Sequence, residues 1–248
     1  MPKGFDKVTS NFGKLRLIMR VGGLEKDGKT HFALTAPGDI GVIDLDRGLE
    51  GVIQKFVNDK DIYAVNFRDM PIATQDDHEA RWTAFEDAYG VLLKDPKIRT
   101  IIWDTDTEAW EMIRMAKFGR LTKIKSHHYG EVNAAFRNLI DRAFDADKNL
   151  IMIARYKKQY VKKSPTSDDS AWNGAYEAGG FTEAASIVQV NLRAKLIEDE
   201  DGELMPSITV VNCRQNMKTN GEVFEGDMAT FPWVATSIIE GTSPEDWE

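Results

Sequence analysis

The eight residues Gly23-Leu24-Glu25-Lys26-Asp27-Gly28-Lys29-Thr30 constrain this chain more than any other stretch. They fit the pattern G-x-x-x-x-G-K-[ST], whose glycines let backbone N–H groups curl round an anion without a Cβ in the way. A helix opening at the lysine aims its positive end at the same point. The lysine reaches β- and γ-phosphate oxygens, and the hydroxyl after it ligates magnesium. The pattern carries this meaning only between a strand and a helix. Here Leu15 to Val21 reads as a strand, and Lys29 to Leu34 reads as the first turns of a helix. The implied ligand is ATP with Mg2+, bound by Gly23, Leu24, Glu25, Lys26, Asp27, Gly28, Lys29, Thr30 and the adjoining His31. Glu25 and Asp27 place two carboxylates in a loop that must hold a polyanion, so their side chains are expected to point outward.

Apolar runs alternate with amphipathic stretches along the rest of the chain, as in a mostly parallel sheet covered by helices. Further strands are expected at Gly41 to Asp46, Ile62 to Phe67, Thr100 to Asp104 and Asn149 to Ala154. Helices are expected over Asp76 to Lys94 and Glu131 to Phe144, the second from Val132, Phe136, Leu139, Ile140 and Phe144 at helical spacing. Trp82, Phe85 and Tyr89 share one face of the first helix and read as core. Ile187 to Leu196 and Ser207 to Asn212 flank Gly202 and read as an antiparallel hairpin. Tyr156 to Phe181 is polar, partly basic and glycine-bearing, and reads as a long functional loop. Together these give a three-layer α/β/α fold over residues 1–240, followed by a short acidic tail at 241–248.

Composition bounds the remainder. The chain has 248 residues, enough for one large α/β domain with its own core. A net charge of -8 argues against a protein that coats nucleic acid with its whole surface, yet leaves room for a local basic strip. The single cysteine, Cys213, excludes an internal disulfide and a cysteine zinc cage, and reads as a packed strand residue. No apolar leader and no run of about 20 apolar residues is present, so a cytoplasmic chain without a membrane partner is expected. His127 and His128 lie in a polar connection with no partner spacing for a metal. Trp247, inside the acidic tail, fits either a docking segment or a frayed end.

Beyond the loop, the chemistry needs a carboxylate for magnesium and a base for water. Asp104 ends the apolar run Ile101-Ile102-Trp103, so a rigid strand delivers it beside the loop, with Asp106 as the fallback. The alternative for Asp104 is an aspartate that caps the next turn. Asp44 and Asp46 lie two apart at the end of the second strand, on one face of it, and could equally be turn residues before Gly48.

The phosphate loop, the strand end Ile43-Asp44-Leu45-Asp46, the strand Ile101-Ile102-Trp103-Asp104 and the run Ile151-Met152-Ile153-Ala154-Arg155 occur in an order that resembles a RecA-type core. The similarity is greatest to small phage-encoded, single-domain RecA-like ATPases of single-strand annealing and recombination. The resemblance implies that Asp46 activates water, one methylene shorter than the usual glutamate, and that Asp104 holds magnesium beside Thr30. It places Arg155 where such proteins carry a γ-phosphate-sensing glutamine. It implies that the segment after Arg155 binds single-stranded DNA through Lys157, Lys158, Tyr160, Lys162 and Lys163, with lysines on phosphates and aromatics on bases. It also puts Arg214 and Lys218 where filament proteins reach the nucleotide of the next subunit. The expected protein is therefore a DNA-stimulated P-loop ATPase forming a ring or filament, with a single-strand-binding or replication protein as a further partner. The alternative is a nucleotide-dependent accessory or helicase-loader module with slow turnover. No arginine-rich lid supports a small-molecule kinase.

Overall fold

The computed structural model describes residues 15–120, 126–162, 164, 169–181 and 183–247. In chain order its elements are β1 (Ile18–Gly23), α1 (Lys29–Leu34), β2 (Asp39–Asp44), β3 (Ile62–Val65), α2 (Gln75–Lys94), β4 (Ile98–Asp104), α3 (Asp106–Phe118) and α4 (Ser126–Asp145). There follow β5 (Asn149–Lys162), β6 (Ser170–Ala178), α5 (Ala184–Ile187), β7 (Val190–Glu198), β8 (Leu204–Cys213), β9 (Val223–Glu225) and α6 (Phe231–Ile238). The sheet runs β3-β2-β4-β5-β1-β7-β8-β9. It is parallel from β3 to β7, and β8 and β9 close it antiparallel, as expected for the C-terminal hairpin.

The parallel strands are buried on both faces, and their side chains alternate between two cores. Met19, Val21, Val42, Ile102, Ile151 and Ile153 pack with α1 and α6. Ile18, Ile43, Ile101, Trp103, Leu150 and Met152 pack with α2, α3 and α4 on the other side. Trp103 is the centre of that second core, with Tyr89, Phe85 and Phe136 meeting it edge-on at centroid distances of 5.1, 5.8 and 5.8 Å. Trp82 stacks on Phe85 at 5.4 Å, so the aromatic face expected of α2 is the packed one. Cys213 is buried, as expected of a strand residue. No described helix is long and apolar enough to cross a membrane.

α2 starts at a capping box. The Thr74 hydroxyl accepts the Asp77 N–H at 3.2 Å, and the Asp77 carboxylate accepts the Thr74 N–H at 2.8 Å. Thr74→Ala should lower the unfolding free energy by about 1 kcal/mol. Urea denaturation reads this directly, and an unchanged midpoint would show that the cap contributes nothing.

Three expectations change. The segment from Tyr156 is no loop: β5 continues without a break to Lys162 and pairs antiparallel with β6. This ribbon stands beyond the helices with both faces largely in solvent, so its residues show no apolar alternation for a sequence reading to detect. Cross-strand chemistry holds it instead: Tyr160 opposite Trp172, Lys158 over the Trp172 ring at 4.9 Å, and Lys157 paired with Glu177 at 3.4 Å. His127 and His128 fall in the first turn of α4 rather than in a connection, with side chains outside the described residues. The C-terminal segment is neither free nor frayed. Pro244–Trp247 forms a 3-10 turn that seats Trp247, fully buried, against Phe231 at 5.7 Å. Removing that much apolar surface from water outweighs the acidic neighbours, whose side chains stay outside.

Candidate nucleotide site

Parallel α/β sheets bind ligands beyond the carboxyl ends of their strands. Gly23, Asp44 and Asp104 end β1, β2 and β4, and Arg155 lies level with Gly23 on β5. Between these strand ends and the loop lies a cavity of about 640 Å³. Glu25 to Thr30, His31, Asp46, Asp104 and Arg155 all line it, so the expected site residues on these segments converge. Gly23 and Leu24 sit at its root, outside the lining.

The loop turns at Gly28, whose φ of 79° lies in the left-handed region that favours glycine. α1 follows at once and stops at Thr35, two residues before Pro37. The loop is folded onto itself. The Asp27 carboxylate accepts the Leu24 N–H at 2.6 Å, and the Lys29 ammonium donates to the Leu24 carbonyl. Asp27 therefore points back at the loop, contrary to the outward orientation expected of it. Burial lowers the Lys29 pKa, opposed by Asp27 and Asp104.

The Thr30 hydroxyl donates to Asp104 Oδ2 at 2.8 Å. Asp104 is only 2% exposed, and burial raises its pKa to about 6, with Asp44 adding to the rise and Thr30 and Lys29 opposing it. A carboxylate and a hydroxyl in contact, facing a polyanion loop, are the hard oxygen donors that suit magnesium. Asp106, the fallback, is excluded by its surroundings. It is buried in α3 and pairs with Arg20 Nε at 2.6 Å, while Arg20 also donates to the Gly179 carbonyl at 2.7 Å.

The two acids after β2 separate. Asp44 is buried, pairs with Arg68 and accepts the Gly48 N–H at 3.0 Å, so it holds the turn. Asp46 stands beyond the strand, in the cavity lining, and is gripped by Arg155, whose Nε lies 2.7 Å from its Oδ2. Arg155 Nη1 also faces Glu108 at 3.6 Å. Arg155 and Asp46, given separate roles from the sequence, thus form a direct ion pair.

Arg214 and Lys218 lie elsewhere. β8 runs down against β7, and Cys213 pairs with Val190, at the start of β7. The chain therefore leaves the sheet at the end of the strands opposite the cavity, where the Arg214 guanidinium sits 5.8 Å from the Phe144 ring centroid and Lys218 is exposed. Lys157, Lys158, Tyr160 and Lys162 lie on the outer half of β5, outside the cavity lining, and Lys163 lies outside the described residues. Sequence reasoning missed the cavity wall formed by Arg47, Gly48, Glu50, Gly51, Val52 and Lys55, as well as Thr105. The glycines that close together after β2 were the available signal.

No curated protein matches the chain. The AAA domain family does, over residues 17–222. A match of that extent, from the residue before β1 to the residue before β9, places this chain in the AAA domain family of P-loop ATPases.

Proposed function

We propose that this chain is a magnesium-dependent ATPase that acts on single-stranded DNA, in recombination or annealing of the kind served by phage RecA-like proteins. The observation that supports the DNA partner is the β5–β6 ribbon. It carries Lys157, Lys158 and Lys162 with Tyr160 60% and Trp172 45% exposed, cations for phosphates beside ring faces for bases. Its root is Arg155, in the cavity wall, so the ribbon is continuous with the nucleotide site.

In this reading Lys29 leaves the Leu24 carbonyl for the β- and γ-phosphate oxygens. Thr30 and Asp104 would hold magnesium, which when bound would supply positive charge to the triphosphate. Asp46 takes a proton from the attacking water, giving ADP and phosphate. It can do so only when Arg155 releases it, and the freed guanidinium then stabilises charge on the γ-phosphoryl group. The proposed assembly is a homo-oligomeric ring or filament, in which Arg214 and Lys218, at the strand ends opposite their own cavity, serve a neighbour's nucleotide.

Steady-state ATP turnover with and without single-stranded DNA tests this. Wild type should be stimulated. The Lys157, Lys158, Lys162 and Lys163 to alanine variant should lose stimulation while retaining nucleotide binding. Its DNA affinity should depend less on salt, the log-log slope shrinking by about 3. A flat response of the wild type would instead favour a slow-turnover accessory or helicase-loader module. The Asp46–Arg155 pair favours that second reading, because it ties up the base.

A further inference from the structure

We propose that the imidazole of His31 is the wall against which the base of a bound purine nucleotide packs. This rests on the nucleotide reading above. A triphosphate in the loop has a fixed direction: its γ end lies towards Asp104 and Arg155, because Lys29, Thr30 and the acid strand converge there. The nucleoside must then lie towards the other end of the cavity. His31, one residue beyond Thr30, lines the cavity along with Gly51, Val52 and Lys55, and it takes no part in the Thr30–Asp104 and Asp46–Arg155 contacts.

Among the described residues, His31 is the one aromatic ring in the cavity lining. It is propped from behind: Phe56, buried and outside the lining, meets it edge-to-face at 5.0 Å and 70°. α1 fixes its backbone, and Phe56 joins the core shared by α1 and the sheet. A half-buried ring backed by a core aromatic and open to a cavity is a platform for a flat partner, with little side-chain freedom left to lose on binding. Stacking on a ring face is tolerant of base identity but scales with the area covered, so a purine gains more than a pyrimidine and a bare polyphosphate gains nothing.

Calorimetric titration of wild type, His31→Ala and His31→Phe with ATP, CTP and inorganic tripolyphosphate, each with magnesium, tests the assignment. His31→Ala should weaken ATP about tenfold, CTP less, and tripolyphosphate by no more than roughly twofold. His31→Phe should recover ATP affinity, which also shows that the alanine variant's loss is not one of folding. Equal weakening of ATP and tripolyphosphate in His31→Ala, or unchanged ATP affinity there, overturns the proposal. Lys29→Ala is read in the same titrations: if it still takes up tripolyphosphate, the phosphate-loop reading fails rather than the base wall.

Discussion

Lys29→Ala is expected to abolish measurable ATP turnover, with a loss on the order of 10²–10³-fold or more. The ammonium is the only lysine side chain in the loop whose reach ends inside it, on the Leu24 carbonyl. Lys26, the other, is exposed at a positive-φ turn position. Burial already lowers the Lys29 pKa, and a triphosphate reverses that pressure by bringing several negative charges against it. Alanine removes that attraction from the loop itself and leaves Glu25, Asp27 and Asp104 in the cavity lining against the polyanion. Magnesium-dependent nucleotide binding by calorimetry checks the outcome. Uptake that survives the substitution would mean that the loop is not the phosphate site.

Asp104→Asn should separate stability from activity. Its carboxyl titrates near 6 in the folded chain against an ordinary value of 3.8. The folded state therefore binds more protons than the unfolded chain between those values, and stability falls as pH rises from about 4 to about 6. The gap corresponds to on the order of 3 kcal/mol. Asparagine keeps an oxygen for the Thr30 hydroxyl but carries no charge to desolvate, so the nucleotide-free variant should be the more stable protein above pH 6. A rise in Tm of about 2–4 °C per kcal/mol recovered is expected, vanishing near pH 4. Magnesium-dependent turnover should fall by about 100-fold or more, since the anionic ligand is gone. Thermal melts across pH 4–8 beside ATPase assays measure both. A variant less stable than wild type at pH 7.5 would count against the buried charge as a liability, and undiminished turnover would remove Asp104 from the metal site.

Much of this arrangement was legible beforehand, for identifiable reasons. The loop and α1 follow from local chemistry, and the buried strands announce themselves by runs such as Ile101-Ile102-Trp103. The C-terminal hairpin carries its own turn at Gly202. What stayed hidden depends on contacts distant in the chain. Nothing local to Asp46 says that Arg155, 109 positions away, will take it, or that Arg68 will take Asp44. Asp106 and Asp104 look alike in sequence, and only the pairing of Asp106 with Arg20 distinguishes them. The ribbon was missed because hydrophobic alternation detects strands that bury a face, and this one buries neither. Trp247 was missed because the charges around it dominate its segment while its destination, Phe231, belongs to another element.

β5 is a single strand of 14 residues, anchored between β4 and β1 for its first half and reaching into solvent with the second. Such a rod spans about 46 Å. The Tyr156 ring, where the rod leaves the sheet, lies so close to Gly22 that a Cβ there would collide with it. The geometry is that of a lever with its fulcrum one residue from the phosphate loop. The ribbon's register shift, between Lys158 and Tyr160, lies on the outer arm, so unbroken strand joins Tyr156 to Arg155, and Tyr156 itself abuts Gly22.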